Sequence, residues 1–259
     1  MLLMLKHLRG SHPPNNALCS HQGGDAAGGL VIHRVREMLI RQRTQLINGI
    51  RGHLAEFGII GPDRSHKIGL LTTLIEDPNC DELPAVARHA LQYLVNQLRE
   101  ISAKLFKIGR DLIAVARNSN ACRRLMSIPG VGVITATALV SSMREPTDFK
   151  SGRHFAAWLG LVPKQRSSGG RARLFGISKR GDRYLRTLMI PGARAALSRA
   201  GGKQDPRSLW LGKMRQRRHP NVAAVALANK NARIVWAMLS GDTAYEPAVG
   251  EGGLKRSGR

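Results

Sequence analysis

Along most of this chain apolar residues recur at helical spacing, and the places where the spacing fails mark its joints. Residues 1–29 show no such recurrence. The stretch SHPPNNALCSHQGGDAAGGL is rich in Gly, Pro, Asn and His, buries too little to offset the entropy of ordering, and is expected to be a disordered or aberrant N-terminus. From about Val31 the pattern turns helical, with Ile32, Val35, Leu39, Gln42, Leu46, Ile50 and Phe57 along one stripe until Gly58 and Gly61–Pro62 stop it. A short helix is expected near Lys67 to Ile75. A second long helix follows Pro84, and in it Ala87, Leu91, Leu94, Leu98, Ile101, Leu105, Ile108, Leu112 and Val115 alternate steps of four and three, the spacing of a coiled-coil seam. Residues 30–118 therefore read as a long antiparallel coiled-coil helix hairpin. Its seam either closes within one chain or is shared between protomers.

Residues 119–241 read as a compact, mainly α domain. A helix beginning near Leu125 breaks at Pro129-Gly130-Val131-Gly132 and restarts at Val133 with Ala136 and Leu139 inward, a helix-hairpin-helix layout. Trp158, Leu159, Leu161 and Val162 form a buried edge leading to Ser167-Ser168-Gly169-Gly170. Arg171 to Ile177 alternates basic and apolar residues, predicting a short β-hairpin. Asp182 is placed to cap a helix with Leu185, Leu188 and Met189 inward and Arg183 and Arg186 outward. Pro191 is expected to interrupt that helix, at a cost of about 3 kcal/mol. Helices are predicted over Arg207–Arg217 and Val222–Leu239, and the tail 242–259 is expected to be disordered. In the last helix Asn229 and Asn231 are read as packing residues whose amides cap or bridge neighbouring backbone.

Charge narrows the range of partners. A net charge of +24 over 259 residues, with 41 Lys and Arg against 17 Asp and Glu, exceeds what solubility requires and points to a polyanion. Ribosomal or membrane-surface binding would give the same number. Phe, Trp and Tyr make up only 4% of residues, which argues against single-strand binders built on rows of aromatic platforms and favours duplex backbone or structured RNA. Cys19, Cys80 and Cys122 match no metal-ligand spacing and read as reduced thiols. MLLMLKHLRG is too short and too soon interrupted for a signal sequence, and no apolar run is long enough to span a membrane. A soluble, cytoplasmic protein with no membrane partner is expected.

The chemistry concentrates in FAAWLGLVPKQRSSGGRARLFGISKRGDRYLR, Phe155 to Arg186, where two adjacent serines, Ser167 and Ser168, stand among eight basic side chains and one acid. Lys164, Arg166, Arg171, Arg173, Lys179, Arg180, Arg183 and Arg186 suit DNA phosphates and the charge that builds up on a phosphorane. Ser168, which abuts the turn glycines, is the first candidate nucleophile and Ser167 the second. The plainer alternative is a loop that collects Ser, Gly and Arg to bind backbone without cutting it. At the helix-hairpin-helix turn, Gly130 and Gly132 would let backbone N–H groups approach a phosphate oxygen. An ordinary helix–helix turn needs the same glycines.

Taken in order, SIPGVGVITATALVSSM, DFKSGRHFAAWLGLVPKQRSSGG, GISKRGDRYLRTLMI and NVAAVALANKNARIVWAML resemble the carboxy-terminal domain of the DEDD-type insertion-sequence transposases, the insertion sequence 110/116/902 family. HRVREMLIRQRTQLINGIRGHLAEFGI resembles that family's connector, so the likeness spans roughly residues 30 to 240. It implies DNA transposition, with element ends and target DNA as partners. It further implies a serine that cleaves and transfers strands through a phosphoserine link, a dimer or tetramer formed through the coiled coil, and a guide RNA held there.

In that family an α/β domain with an Asp, a Glu and an Asp-x-x-Asp pair precedes the connector and holds divalent metal. Asp25 is the only acid before Glu37 here, so no metal ligand is assigned. Mg²⁺ is expected only in the intact family site, completed by a partner chain's acids. The chain is accordingly expected to be a truncated copy lacking the acidic domain, incomplete or inactive on its own. The competing expectation is a non-catalytic DNA- or RNA-binding dimer or regulator derived from a transposase.

Overall fold

The computed structural model describes residues 21–61, 68–78, 80–143, 145–168, 171–241, 243–246 and 254–256; for 21–27, 166–168, 171, 172, 174, 244 and 254–256 it describes backbone alone. It is mainly helical and divides into a unit of Leu30–Asp111 and a unit that holds Leu112–Arg259.

Three helices build the first unit: α1 His21–Glu56, α2 Ile68–Glu76 and α3 Ala85–Asn118, the two long ones running on past its limits. Ile47, Ile50 and Leu54 of α1, Ile68, Leu71 and Ile75 of α2, and Leu91, Val95 and Leu98 of α3 close into one apolar core. Each buried aliphatic side chain contributes about 1.5–3 kcal/mol. Polar ties fix the helices around it. Arg43 Nε donates to Ser102 Oγ at 3.3 Å. Arg88 donates to the carbonyls of Pro78, Cys80 and Leu83, ordering the link into α3. Arg99 pairs with Glu76 and holds its carboxyl below the ordinary carboxylate range.

The α3 seam is largely where the heptads put it, with Leu91, Leu98, Ile101 and Leu112 buried; at its end Val115 is exposed and Ala116 takes the inner position. The α1 stripe is displaced. Val35, Gln42 and Phe57 are exposed, while His33, Ile47 and Leu54 are buried. The helix also starts at His21, ten residues before Val31. Each of Gly23, Gly24, Gly28 and Gly29 disfavours helix by about 1 kcal/mol relative to alanine, so intrinsic propensity gives no sign of this extension. Residues 1–20, with Cys19, lie outside the described residues.

In the second unit α4 Asn120–Leu125, α5 Val133–Ser142, α6 Gly152–Trp158, α7 Arg183–Ser198 and α8 Pro206–Arg217 surround α9 Pro220–Ser240. Helix α9 packs against α4, α6, α7 and α8. Its Ala223, Ala224, Ala228 and Ala232 are fully buried, and such small side chains let neighbouring helices come close. Helix α5 buries the run Thr135 to Leu139, and Cys122 is a buried free thiol whose pKa is raised by desolvation.

Two expectations are corrected here. Pro191 does not interrupt its helix: α7 runs from Arg183 to Ser198 straight through it. Pro191 is exposed, and the packing of α7 against α5 and α9 keeps the segment helical although the proline lacks a backbone donor. Nor is the whole tail without structure. Strand β3 Thr243–Tyr245 pairs antiparallel with β4 Leu254–Arg256. Arg124 anchors the approach to β3 by donating to the carbonyls of Met238, Gly241 and Thr243 at 2.8, 3.0 and 2.8 Å.

Candidate nucleic-acid interface

Strands β1 Pro163–Ser168 and β2 Arg171–Ile177 form an antiparallel ribbon between α6 and α7, as the alternation of basic and apolar residues predicts. Its base is fixed by backbone. Ser178 N–H donates to the Val162 carbonyl at 2.8 Å and Lys179 N–H to Gly160 at 3.2 Å. Gly181, at φ +128°, lies where a Cβ would stand 1.7 Å from the Trp158 carbonyl oxygen, so only glycine fits this crossing. Asp182 then caps α7, its carboxylate accepting from Leu185 N–H at 2.8 Å.

The pairing register places the candidate residues. Ser168 stands opposite Arg171, Ser167 opposite Ala172, Arg166 opposite Arg173 and Gln165 opposite Leu174, with an irregularity between Pro163 and Gln165. Alternate residues of a strand share a face, so Ser168, Arg166, Arg171 and Arg173 occupy positions on one face of the ribbon. Ser167 falls on the other with Gln165, Ala172 and Leu174. Both serines are thus strand residues at the ribbon's end rather than part of a turn; Gly169 and Gly170, which follow, lie outside the described residues.

Lys164, Arg173, Lys179, Arg180 and Arg183 are exposed, Lys179 with the left-handed φ of 55°. Arg186 differs from them. Its guanidinium is half-buried and donates to the Leu159 carbonyl at 3.1 Å, which makes it a brace under the ribbon.

The Pro129–Gly132 turn forms between α4 and α5. Gly130 has φ +95°, and a Cβ there would meet the Gly192 carbonyl oxygen at 2.7 Å. Its glycine requirement is therefore met by packing on α7, the ordinary-turn explanation. Gly132 is the N-cap of α5 and faces open space.

Behind the turn lies a knot that the sequence does not announce. Arg207 is 8% exposed, and it donates to the Pro129 carbonyl at 2.7 Å, Asn231 Oδ1 at 3.2 Å and Tyr245 OH at 2.9 Å. Asn231 Nδ2 donates to the same Pro129 carbonyl at 3.1 Å. Asn229 Nδ2 likewise donates to Leu161, so both α9 amides bridge neighbouring backbone as expected. The one available signal for Arg207 is its place four residues before buried Leu211, on the inner stripe of α8. Among the described residues no three His, Cys, Asp or Glu side chains gather as metal ligands, and no helix is long and apolar enough to cross a membrane.

Residues 122–208, from α4 through the ribbon to the start of α8, match the model of the transposase IS116/IS110/IS902 family. The chain carries a transposase domain of this family. A "probable family 20 transposase" of Pseudomonas aeruginosa is 47% identical over 218 residues, 83% of this chain and 64% of that protein. The transposase for insertion sequence element IS1111A of Coxiella burnetii is 40% identical over 212 residues, 82% and 58% of the two chains. The transposase for IS1328 of Yersinia enterocolitica is 36% identical over 214 residues, 83% and 63%. The chain thus spans about three fifths of the length of these relatives. The transposase domain holds the ribbon, the Pro129–Gly132 turn and every basic candidate from Lys164 to Arg186.

Proposed function

We propose that this chain is the DNA-gripping and serine-bearing part of an insertion-sequence transposase, with Ser168 as the nucleophile. The ribbon register carries the reading, because it sets Ser168 on the face that holds the Arg166, Arg171 and Arg173 positions and leaves Ser167 on the other. Guanidinium groups there bind phosphate oxygens bidentately and offset the charge of a phosphorane. In the step, Ser168 Oγ gives its proton to water and bonds to phosphorus. The bond from phosphorus to a deoxyribose oxygen breaks, and that oxygen takes up a proton. The phosphoserine ester keeps the link available for transfer to another strand's hydroxyl. Divalent metal supplies further charge stabilisation in such chemistry. The described residues offer no ligand set for it.

Lys164, Lys179, Arg180 and Arg183 extend the grip along the backbone, and Gly132 with the first N–H groups of α5 adds a phosphate contact. Duplex DNA in the cytoplasm is the partner. A guide RNA and self-association through α1 and α3 belong to the same reading.

The test is incubation with DNA carrying the element's joined ends, guide RNA and Mg²⁺, followed by denaturing electrophoresis. With a full-length transposase of the family present to supply the acidic domain, a covalent DNA adduct of this chain is expected for the unaltered form and for Ser167→Ala, and none for Ser168→Ala. An adduct that survives Ser168→Ala and disappears in Ser167→Ala would reverse the assignment. Binding by every form with no adduct from any would favour a non-catalytic binder.

A further inference from the structure

Beside the ribbon's base, between it and the first half of α9, lies an open groove of about 1070 Å³. Its surface is mostly hydrocarbon: buried Leu161, half-buried Ile177 and Val225, and two side chains left about half exposed, Phe175 at 52% and Val222 at 52%. The lining also holds two cations, Lys164 and Lys179, both exposed.

Two amides complete it. Asn229 commits its Nδ2 to the Leu161 carbonyl and Asn221 commits its Oδ1 to Arg194, so Asn229 Oδ1 and Asn221 Nδ2 remain for an occupant. The groove therefore presents a mostly apolar surface, one acceptor, one donor and flanking positive charge.

We propose that this groove receives one unstacked nucleobase of the DNA strand that the ribbon grips. The inference rests on the ribbon being the DNA-binding face and goes beyond it. A nucleotide pairs an apolar, hydrogen-bonding plane with an adjacent phosphate, which is the complement of Phe175 and the asparagines next to Lys164 and Lys179. Base–aromatic stacking contributes about 1–3 kcal/mol per base and tolerates any sequence. A base drawn from a duplex into a protein pocket repays its unstacking through such contacts. One ring serves one base, so the low aromatic content is no obstacle. A purely apolar occupant, such as a helix face, would leave the two lysines without counter-charge.

The experiment uses a short single-stranded oligonucleotide with a central 2-aminopurine and a second of equal length and charge with a central abasic site. Affinity is read by anisotropy and base unstacking by 2-aminopurine emission. The unaltered chain is expected to bind the first about tenfold more tightly than the second, with emission rising as the base leaves its neighbours. Phe175→Ala should bind both equally without the rise. Ala226→Leu, which enlarges a side chain on the α9 stripe that lines the groove, should do the same by filling it. Phe175→Trp should restore both signals, separating loss of the ring from loss of fold.

If the chain and all variants prefer the base-bearing strand alike, or none does while all still bind DNA, the groove proposal falls and the ribbon reading stands. If the unaltered chain binds neither strand nor a duplex of the same sequence, the ribbon reading falls first; if it binds the duplex alone, the groove proposal falls and the ribbon reading stands. An acidic peptide whose binding needs Phe175, with no base preference in DNA, would give the groove to a protein partner and overturn the proposal.

Discussion

Arg207 shows how this domain keeps a cation in its interior. A guanidinium carries its charge at every accessible pH, so burial is tolerable only where its N–H groups find acceptors. Here they find three neutral ones, and in satisfying them Arg207 locks the Pro129–Gly132 turn to α8, α9 and β3. Arg207→Ala is expected to cost about 2–4 kcal/mol, because it removes several charge-assisted hydrogen bonds and leaves their acceptors buried. Urea unfolding followed by circular dichroism measures it, and a change under about 0.5 kcal/mol would deny the residue its bracing role.

The serines show where reading a sequence stops. Alternating basic and apolar residues are enough to predict β2, but which serine shares a face with the arginines depends on register. That in turn depends on the turn and on the irregularity between Pro163 and Gln165. A slip of one residue exchanges the faces, and nothing in the string SSGG fixes it. Arg186 was equally illegible: its outward helical position does not reveal that the Leu159 carbonyl lies within reach.

At the scale of elements, α3 was readable and α1 was not. In α3 the leucines and isoleucines keep to one seam, so periodicity alone finds Leu91, Leu98, Ile101 and Leu112. In α1 Val31, Val35, Met38 and Ile40 are exposed. With apolar residues on several faces, spacing gives no unique answer, and the buried line runs through His33 instead. The glycine pair Gly130 and Gly192 belongs to the same scale, since the contact that requires both is made only when α7 meets the turn.

Burial of His33, reinforced by the Arg36 charge, lowers its pKa from 6.5 to about 4. Folded protein therefore stays unprotonated in a range where unfolded chain binds a proton, so stability is full above about pH 6.5 and declines as pH falls toward about 4. Thermal unfolding midpoints across that window should drop in the unaltered chain and drop less in His33→Gln. Equal slopes for the two would show that His33 is not the group responsible.

For the molecule as a whole, the excess of cations narrows the choice of partner. With 41 basic residues against 17 acidic, compactness carries a repulsive cost that a polyanion removes. That much was legible from composition, and the order of the motifs pointed to the transposase domain. Composition is silent on which cations serve DNA, because Arg207 and Arg186 are spent inside the protein while Lys164, Arg173, Lys179, Arg180 and Arg183 stay exposed around the ribbon.

Whether the ribbon's exposed cations hold the phosphate backbone is decided by the salt dependence of DNA affinity in the unaltered chain and in the double variant Lys164→Ala, Arg173→Ala. Each lost phosphate contact lowers the slope of log affinity against log salt by about 0.9, so the double variant should show weaker binding and a slope smaller by about 1.8. Unchanged affinity and an unchanged slope would contradict the account.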